Sequence, residues 1–357
     1  MRANGYGTYR GKSKLRIFLT VLVILLALVL VLAIGGFFFL GEYIVFSDDG
    51  LHLDLPFAQS EPTPTPTAEV SATLPLVAVT PTPPPTSAPA PIRLRAITQP
   101  LTAFSDGTAP AALAAAGANA AIFDMKADSG DLGYVSGEPL AAAAKTSSQI
   151  EGVNEQIKAY NAAADYTVAR VSCFKDHKTA QADQSLPIRT YSNYRWTDPQ
   201  DVIWTSPASE KARGYLVAVC KELAALGFDE ILLENAGYPT EGNLHYIKPG
   251  EVYDLEKLPL VVGGFYEEVR AALAGTGVKL SIVTTESALD ATDQKSGQTP
   301  QNLGESADRI VISAPVKPEA NYVKALEGAG ATVTAGTIVT RVTTPLTDKT
   351  YPWAVLP

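Results

Sequence analysis

Cysteine and histidine are scarce, with two cysteines and three histidines in 357 residues. Two cysteines exclude a disulfide scaffold and a cysteine-rich zinc module, and three histidines leave little for a histidine-based metal site. Several chemical signatures are missing as well. There is no G-x-S-x-G, no H-E-x-x-H and no P-loop. Gly328-Ala-Gly330 lacks the third glycine of a dinucleotide fingerprint and follows a predicted helix rather than a strand. No cofactor and no metal are therefore expected. Basic charge is short once the N-terminus is set aside. Five of the 28 Lys and Arg (Arg2, Arg10, Lys12, Lys14 and Arg16) stand in residues 1–40, which hold no acid. The remaining 23 face 37 Asp and Glu, a net of −14. A surface that acidic argues against nucleic acid as a partner, because such binding depends on neutralising phosphates. It also disfavours anionic wall polymers as simple electrostatic ligands.

What the chain does have begins with one long apolar run. Residues 17–40 carry no charge, and Thr20 is their only clearly polar member. About 20 apolar residues span a bilayer core as a helix. The run is long for a cleaved signal and no A-x-A pattern follows it closely, so an uncleaved transmembrane signal anchor is expected, with cleavage as the alternative. The basic flank, residues 1–16, places that end in the cytoplasm and the rest of the chain outside the cell membrane. Residues 41–91 read as a linker rich in proline and threonine. Ten prolines fall in 61–91, where they remove backbone donors and fix φ, so neither helix nor sheet is expected there. Such a spacer extends by up to ~3 Å per residue.

From residue 92 short apolar runs alternate with helical stretches. Strands are expected at 93–98, 119–125, 166–173, 230–235, 279–285, 309–314, 331–337 and 351–356. Helices are expected at 108–117, 147–164, 208–226, 262–275, 299–305 and 319–328, several ending at glycine. The alternation predicts an α/β fold, a (β/α)8 TIM barrel over 92–357. Function in such barrels sits at the C-terminal strand ends. Those ends carry Asp124, Lys126 and Asp128 after strand 2, Arg170 in strand 3, Glu234 at strand 4 and Glu286 at strand 5. Two carboxylates on neighbouring strands, ~5 Å apart, suit a nucleophile and acid/base pair. Glu234 and Glu286 are the candidate pair, with Leu232 and Thr284 facing inward beside them, and Arg170 lowers a neighbouring carboxyl's pKa. The alternative is that they are polar caps of an inert barrel. The connection after strand 3 is long and holds Lys175, Asp176, His177, Tyr191, Tyr194, Trp196, Asp198 and Trp204. Flat aromatic faces beside acids suit carbohydrate; alternatively they form the loop's own small core. Asp128 and Asp131 suit a turn around Ser129-Gly130 better than a calcium site, since no EF-hand spacing is present. Cys173 and Cys220 are expected as buried free thiols.

The stretches NAAIFDMKADSG (119–130), VARVSCFKD (168–176), WTDP (196–199), WTSP (204–207) and GFDEILLENAGYP (227–239) resemble a bacterial family classed with the glycoside hydrolases, with an amylase-like barrel. By position the resemblance implies Asp124, Lys126, Asp128, Arg170, Lys175, Asp176 and Glu234 as site residues. The chain departs from the family pattern in three places. Glu234 replaces an aspartate, Gly237 replaces an arginine, and the segment around Glu286 lacks an aspartate-aromatic-glycine pattern. The expected function is an extracytoplasmic glycoside hydrolase with Glu234 and Glu286 catalytic. Asp124, Lys126, Asp128, Arg170, Lys175, Asp176, Tyr194, Trp196 and Trp204 would contact a polysaccharide. The alternative is a non-catalytic carbohydrate-binding or envelope scaffold protein on the same barrel.

Overall fold

The computed structural model describes residues 44–47, 50–53, 92–164 and 166–357. The expected anchor at 17–40, the basic segment before it and most of 41–91 lie outside the described residues. Among the described residues no helix is long and apolar enough to cross a membrane. The chain divides into two units, residues 1–84 and 85–357. In the first, β1 (Ile44–Ser47) and β2 (Gly50–Leu53) form an antiparallel pair.

The second unit is a closed parallel barrel. Its strands are β3 (Arg95–Gln99), β4 (Ala120–Lys126), β5 (Thr167–Ser172), β6 (Glu230–Glu234), β7 (Lys279–Thr285), β8 (Arg309–Ser313), β9 (Ile338–Val342) and β10 (Trp353–Val355). They pair in chain order, and β10 returns to β3. The helices are α1 (Ala103–Asp106), α2 (Ala109–Ala116), α3 (Pro139–Ala144), α4 (Val153–Ala163), α5 (His177–Ala182), α6 (Glu210–Ala225), α7 (Leu258–Leu273), α8 (Glu286–Leu289), α9 (Pro300–Ser306) and α10 (Glu319–Gly328).

The period of two along each strand divides the core. Inward residues such as Ile122, Val168, Leu232, Val283 and Val311 fill the barrel. The alternate residues Phe123, Val171, Leu233, Ile282 and Ile312 pack outward in the layer shared with the helices. This is the parity expected for Leu232 and Val171. It is the reverse of the one expected for β7. There Val283 faces in, while Thr284 is buried outside and donates to Gln298 Oε1 at 2.9 Å.

The seventh strand is also displaced, from the expected 331–337 to Ile338–Val342. Gly336 has φ +96°, and a Cβ there would lie 3.2 Å from the Ile92 carbonyl. The chain must turn at this glycine before it can pair with β8. Helix α4 starts six residues later than expected, after Gly152 at φ +70°. Cys173 and Cys220 are buried and unpaired with each other. Burial pushes the Cys220 thiol up to about 12, so neither is a ready thiolate at neutral pH.

Candidate active site

Arg170 organises the C-terminal mouth of the barrel. It lies inward near the end of β5, and its side chain is 6% exposed. Nη1 bonds Asp124 Oδ1 at 2.7 Å and Nη2 bonds Asp128 Oδ1 at 3.1 Å. Nε donates to Glu234 Oε2 in a shorter contact. Burial opposes the charge on Arg170, but Glu234 and Asp124 outweigh it and raise its pKa above the ordinary value. One cation thus joins carboxylates from β4, the loop after it and β6.

The other oxygen of Glu234 is held as well. Arg341 Nη1 bonds Oε1 at 2.7 Å. Arg341 lies near the end of β9, so the displaced seventh strand supplies a site residue that an expected strand at 331–337 leaves out. Its signal was present in the sequence Ile-Val-Thr-Arg-Val, where Val339 and Arg341 share the inward face.

A second cation extends the network. Lys175 Nζ lies 3.2 Å from Asp128 Oδ2 and 3.1 Å from Asp198 Oδ2. Asn235, at φ +50°, donates to Asp128 Oδ1 at 3.2 Å and to Ser172 Oγ at 2.9 Å. Burial works to raise the Asp128 pKa, but Ser172, Arg170 and Lys175 together hold it below the usual carboxylate range. Asp198 follows the same rule. Burial raises its pKa, and the Val202 amide, the Trp204 indole and Lys175 bring it below the ordinary value.

A cleft of about 310 Å³ opens above Glu234, within the range of small-molecule sites. Glu234, Val283 and Arg341 line its base; Lys175, Asp198, Trp204 and Tyr238 line it further out, with Gln200, Glu241 and Thr285. Trp204 is turned by its indole N–H, which donates to Asp198 Oδ2 at 3.1 Å. Gly237 explains one departure from the family pattern. A Cβ there would sit 2.5 Å from the Ser296 carbonyl, so the 293–298 loop leaves no room for an arginine.

The structure brings Asp124, Asp128, Arg170, Lys175 and Glu234 together and puts Trp204 beside them. It does not bring five other expected residues to the cleft. Glu286 follows the reversed parity of β7 and opens α8, turned away from the barrel mouth. Its Oε2 accepts from the Tyr322 hydroxyl at 2.6 Å and the Val316 amide at 2.8 Å. Those two bonds hold its pKa below the ordinary value. Lys126 is fully buried and pairs with Asp176 Oδ2 at 2.8 Å. A bulge between Asp124 and Lys126 shifts the register with β5, so that Lys126 pairs with Val171, and Lys126 Nζ donates to the Ser172 carbonyl at 2.7 Å. Asp176 caps α5 by accepting from the Thr179 amide at 3.1 Å. Trp196 is 2% exposed, and its indole donates to the Asn243 carbonyl at 3.1 Å. Trp196 therefore belongs to the loop's own core. Tyr194 is exposed and lies outside the cleft lining.

The Asp198 pKa has a consequence for stability. A carboxyl held below its unfolded value near 3.9 contributes stability above that pH and loses it as pH falls through the folded pKa. Asp198→Asn is expected to lower the thermal midpoint at pH 7 and to lower it less at pH 3. Equal losses at both values, in thermal melts, would contradict this placement of Asp198.

The family described as "Putative glycosyl hydrolase domain" matches residues 111–345. No curated protein sequence matches the chain. Among solved structures, a hypothetical protein from Ruminiclostridium thermocellum is similar at 23% identity and TM-score 0.45, over 52% of this chain and 96% of that one. The PgaB (BpsB) glycoside hydrolase domain from Bordetella bronchiseptica is similar at 13% identity and TM-score 0.43, over 70% and 83%. An exo-β-N-acetylglucosaminidase from Vibrio harveyi is similar at 14% identity and TM-score 0.43, over 73% of this chain and 45% of that enzyme.

Proposed function

The chain belongs to this glycosyl hydrolase domain family, and on that premise we propose that it hydrolyses glycosidic bonds of a polysaccharide with Glu234 as the reacting carboxylate. The observation that carries the proposal is Glu234 itself. It stands on the cleft floor at the end of β6, with one oxygen on Arg170 and the other on Arg341. A fixed carboxylate below a sugar-sized cleft suits attack on, or electrostatic support of, an oxocarbenium-like centre.

Hydrolysis also needs a proton donor for the leaving oxygen. Asp128 and Asp198 are held ionised by their surroundings, so neither fills that role. Asp293 accepts from the Lys295 and Ser296 amides. Glu241 is the cleft carboxylate with no hydrogen bond or ion pair among the described residues, and we assign it the donor role. In Glu241→Gln, glycosides with poor leaving groups should hydrolyse about 10²–10⁴-fold more slowly. Aryl glycosides with acidic phenols should lose far less, because they leave without a proton. Equal losses on both substrate classes would remove Glu241 from the mechanism.

The same proposal sets the barrel outside the cytoplasmic membrane on a signal anchor. Its support is the sequence: the uncharged run at 17–40, the basic residues before it and the prolines of 61–91.

One observation favours a second reading, a barrel that binds glycans without cleaving them. Asp198 of the cleft and Asp128, its neighbour across Lys175, both have lowered pKa values, whereas glycosidase acids are commonly raised. That reading predicts glycan binding that survives Glu234→Gln and no release of reducing ends by either protein.

A further inference from the structure

The long excursion after β5 ends in a surface that the cleft does not use. Tyr191, Tyr194 and Tyr246 are 65%, 74% and 55% exposed. Large exposed aromatics gathered in one place mark interaction surfaces more often than isolated ones do. Two of these residues are brought together by the backbone. Thr190 and Ile247 are bridged in antiparallel fashion, and the Tyr191 amide donates to the Tyr246 carbonyl at 3.1 Å. Tyr191 and Tyr246 are therefore joined through their backbones. Tyr246 ends a short 3-10 turn, Leu244–Tyr246, and Ile247 after it is buried, while Tyr246 and Tyr191 are exposed. Tyr194 closes the adjoining turn, its carbonyl accepting from the Thr190 amide at 2.9 Å.

This surface is continuous with the cleft wall. Pro199 and Glu241 line the cleft, and the segments that carry them also carry the tyrosines. The two segments are locked together by Trp196, whose indole bonds the Asn243 carbonyl, and by Gly242. At φ +86°, Gly242 lies so close that a Cβ would be 3.1 Å from Pro199. Tyr246 is five positions beyond Glu241, a reach of at most ~18 Å.

We infer that Tyr191, Tyr194 and Tyr246 form a remote binding platform for a polymeric glycan whose reacting end occupies the cleft. The inference rests on the glycoside-hydrolase reading of that cleft. Tyrosine rings offer flat apolar faces to the C–H faces of pyranose rings, and their hydroxyls stay in water. Few side-chain rotors are lost on binding. A chain long enough to reach from the cleft to the platform gains both contacts at once; a disaccharide gains one.

The test compares the full chain with the Tyr191→Ala/Tyr246→Ala and Tyr191→Phe/Tyr246→Phe double variants. The probes are soluble xylan, β-glucan, glycol chitin and alginate, each with its own disaccharide. Affinity electrophoresis reads binding, and reducing-end release reads hydrolysis. On the polymer that the wild type retains, the alanine variant should bind about tenfold more weakly, the phenylalanine variant should keep most of the affinity, and disaccharide hydrolysis should be unchanged. Polymer binding that is equal in wild type and alanine variant would overturn the platform, as would failure of the wild type to bind any of the four polymers. Polymer binding that falls in the alanine variant, in a protein that hydrolyses nothing, would support the platform and reject only the catalytic reading of the cleft.

Discussion

Glu234→Gln is expected to reduce glycoside hydrolysis by at least about 10³-fold, as removal of a reacting group does in other hydrolases. The amide has the shape of the carboxylate but neither its charge nor its second acceptor. Its NH2 group would face a guanidinium in place of an oxygen. The fold should tolerate the change better than the chemistry does. Arg170 keeps Asp124 and Asp128, and Arg341 keeps the Pro357 carbonyl at 2.9 Å, so no buried cation is left without a partner. The check is a pair of measurements on the same preparation, a thermal melt and a rate on the best aryl glycoside. A folded variant with rates within tenfold of wild type would show that Glu234 does not react.

Lys126→Met is expected to have the largest effect on stability, about 3–5 kcal/mol, the usual cost of breaking a buried ion pair. Lys126 is fully buried, and its ammonium lies between Asp176 and the carbonyls of Ser172 and Cys173. Methionine fills much of the same volume but leaves the Asp176 carboxylate, itself 2% exposed, without its counter-charge. The loss corresponds to a fall on the order of 10 °C in the melting temperature of a barrel this size. Lys126→Met combined with Asp176→Leu should recover part of it, because replacing both members of a buried pair by apolar groups is often close to neutral. Recovery will be incomplete, since Asp176 also caps α5. A single-variant loss below about 1 kcal/mol would contradict the assignment of this pair to the fold.

The architecture was legible because barrel strands announce themselves as apolar runs bounded by turns. Seven of the eight expected strands coincide with observed ones to within three residues at each end. The seventh barrel strand, β9, was not legible in place, because 331–337 alternates as a strand would. Only the approach of Gly336 to the Ile92 carbonyl moves the strand beyond it. Arg341 was missed for that reason alone. Glu286 was misplaced by a phase error of one residue in β7, which exchanges the two faces of a strand. Lys126 and Asp176 were read as surface chemistry because two opposite charges near strand ends look alike whether they meet substrate or each other. Their burial depends on the bulge after Asp124 and on Gly130, where a Cβ would clash with the Asp176 carboxylate. The convergence of Asp124, Asp128, Arg170, Lys175 and Glu234 was legible, because strand-end position in a parallel barrel already fixes which side chains share a mouth.

The most direct test of the central claim is reducing-end release by the purified chain from a panel of wall and capsule polysaccharides, measured beside Glu234→Gln. The barrel, its cleft and its family predict release from at least one polysaccharide by the wild type and none by the variant. Binding of a polysaccharide by both proteins with release by neither would contradict the claim and leave a barrel that holds glycans without cutting them.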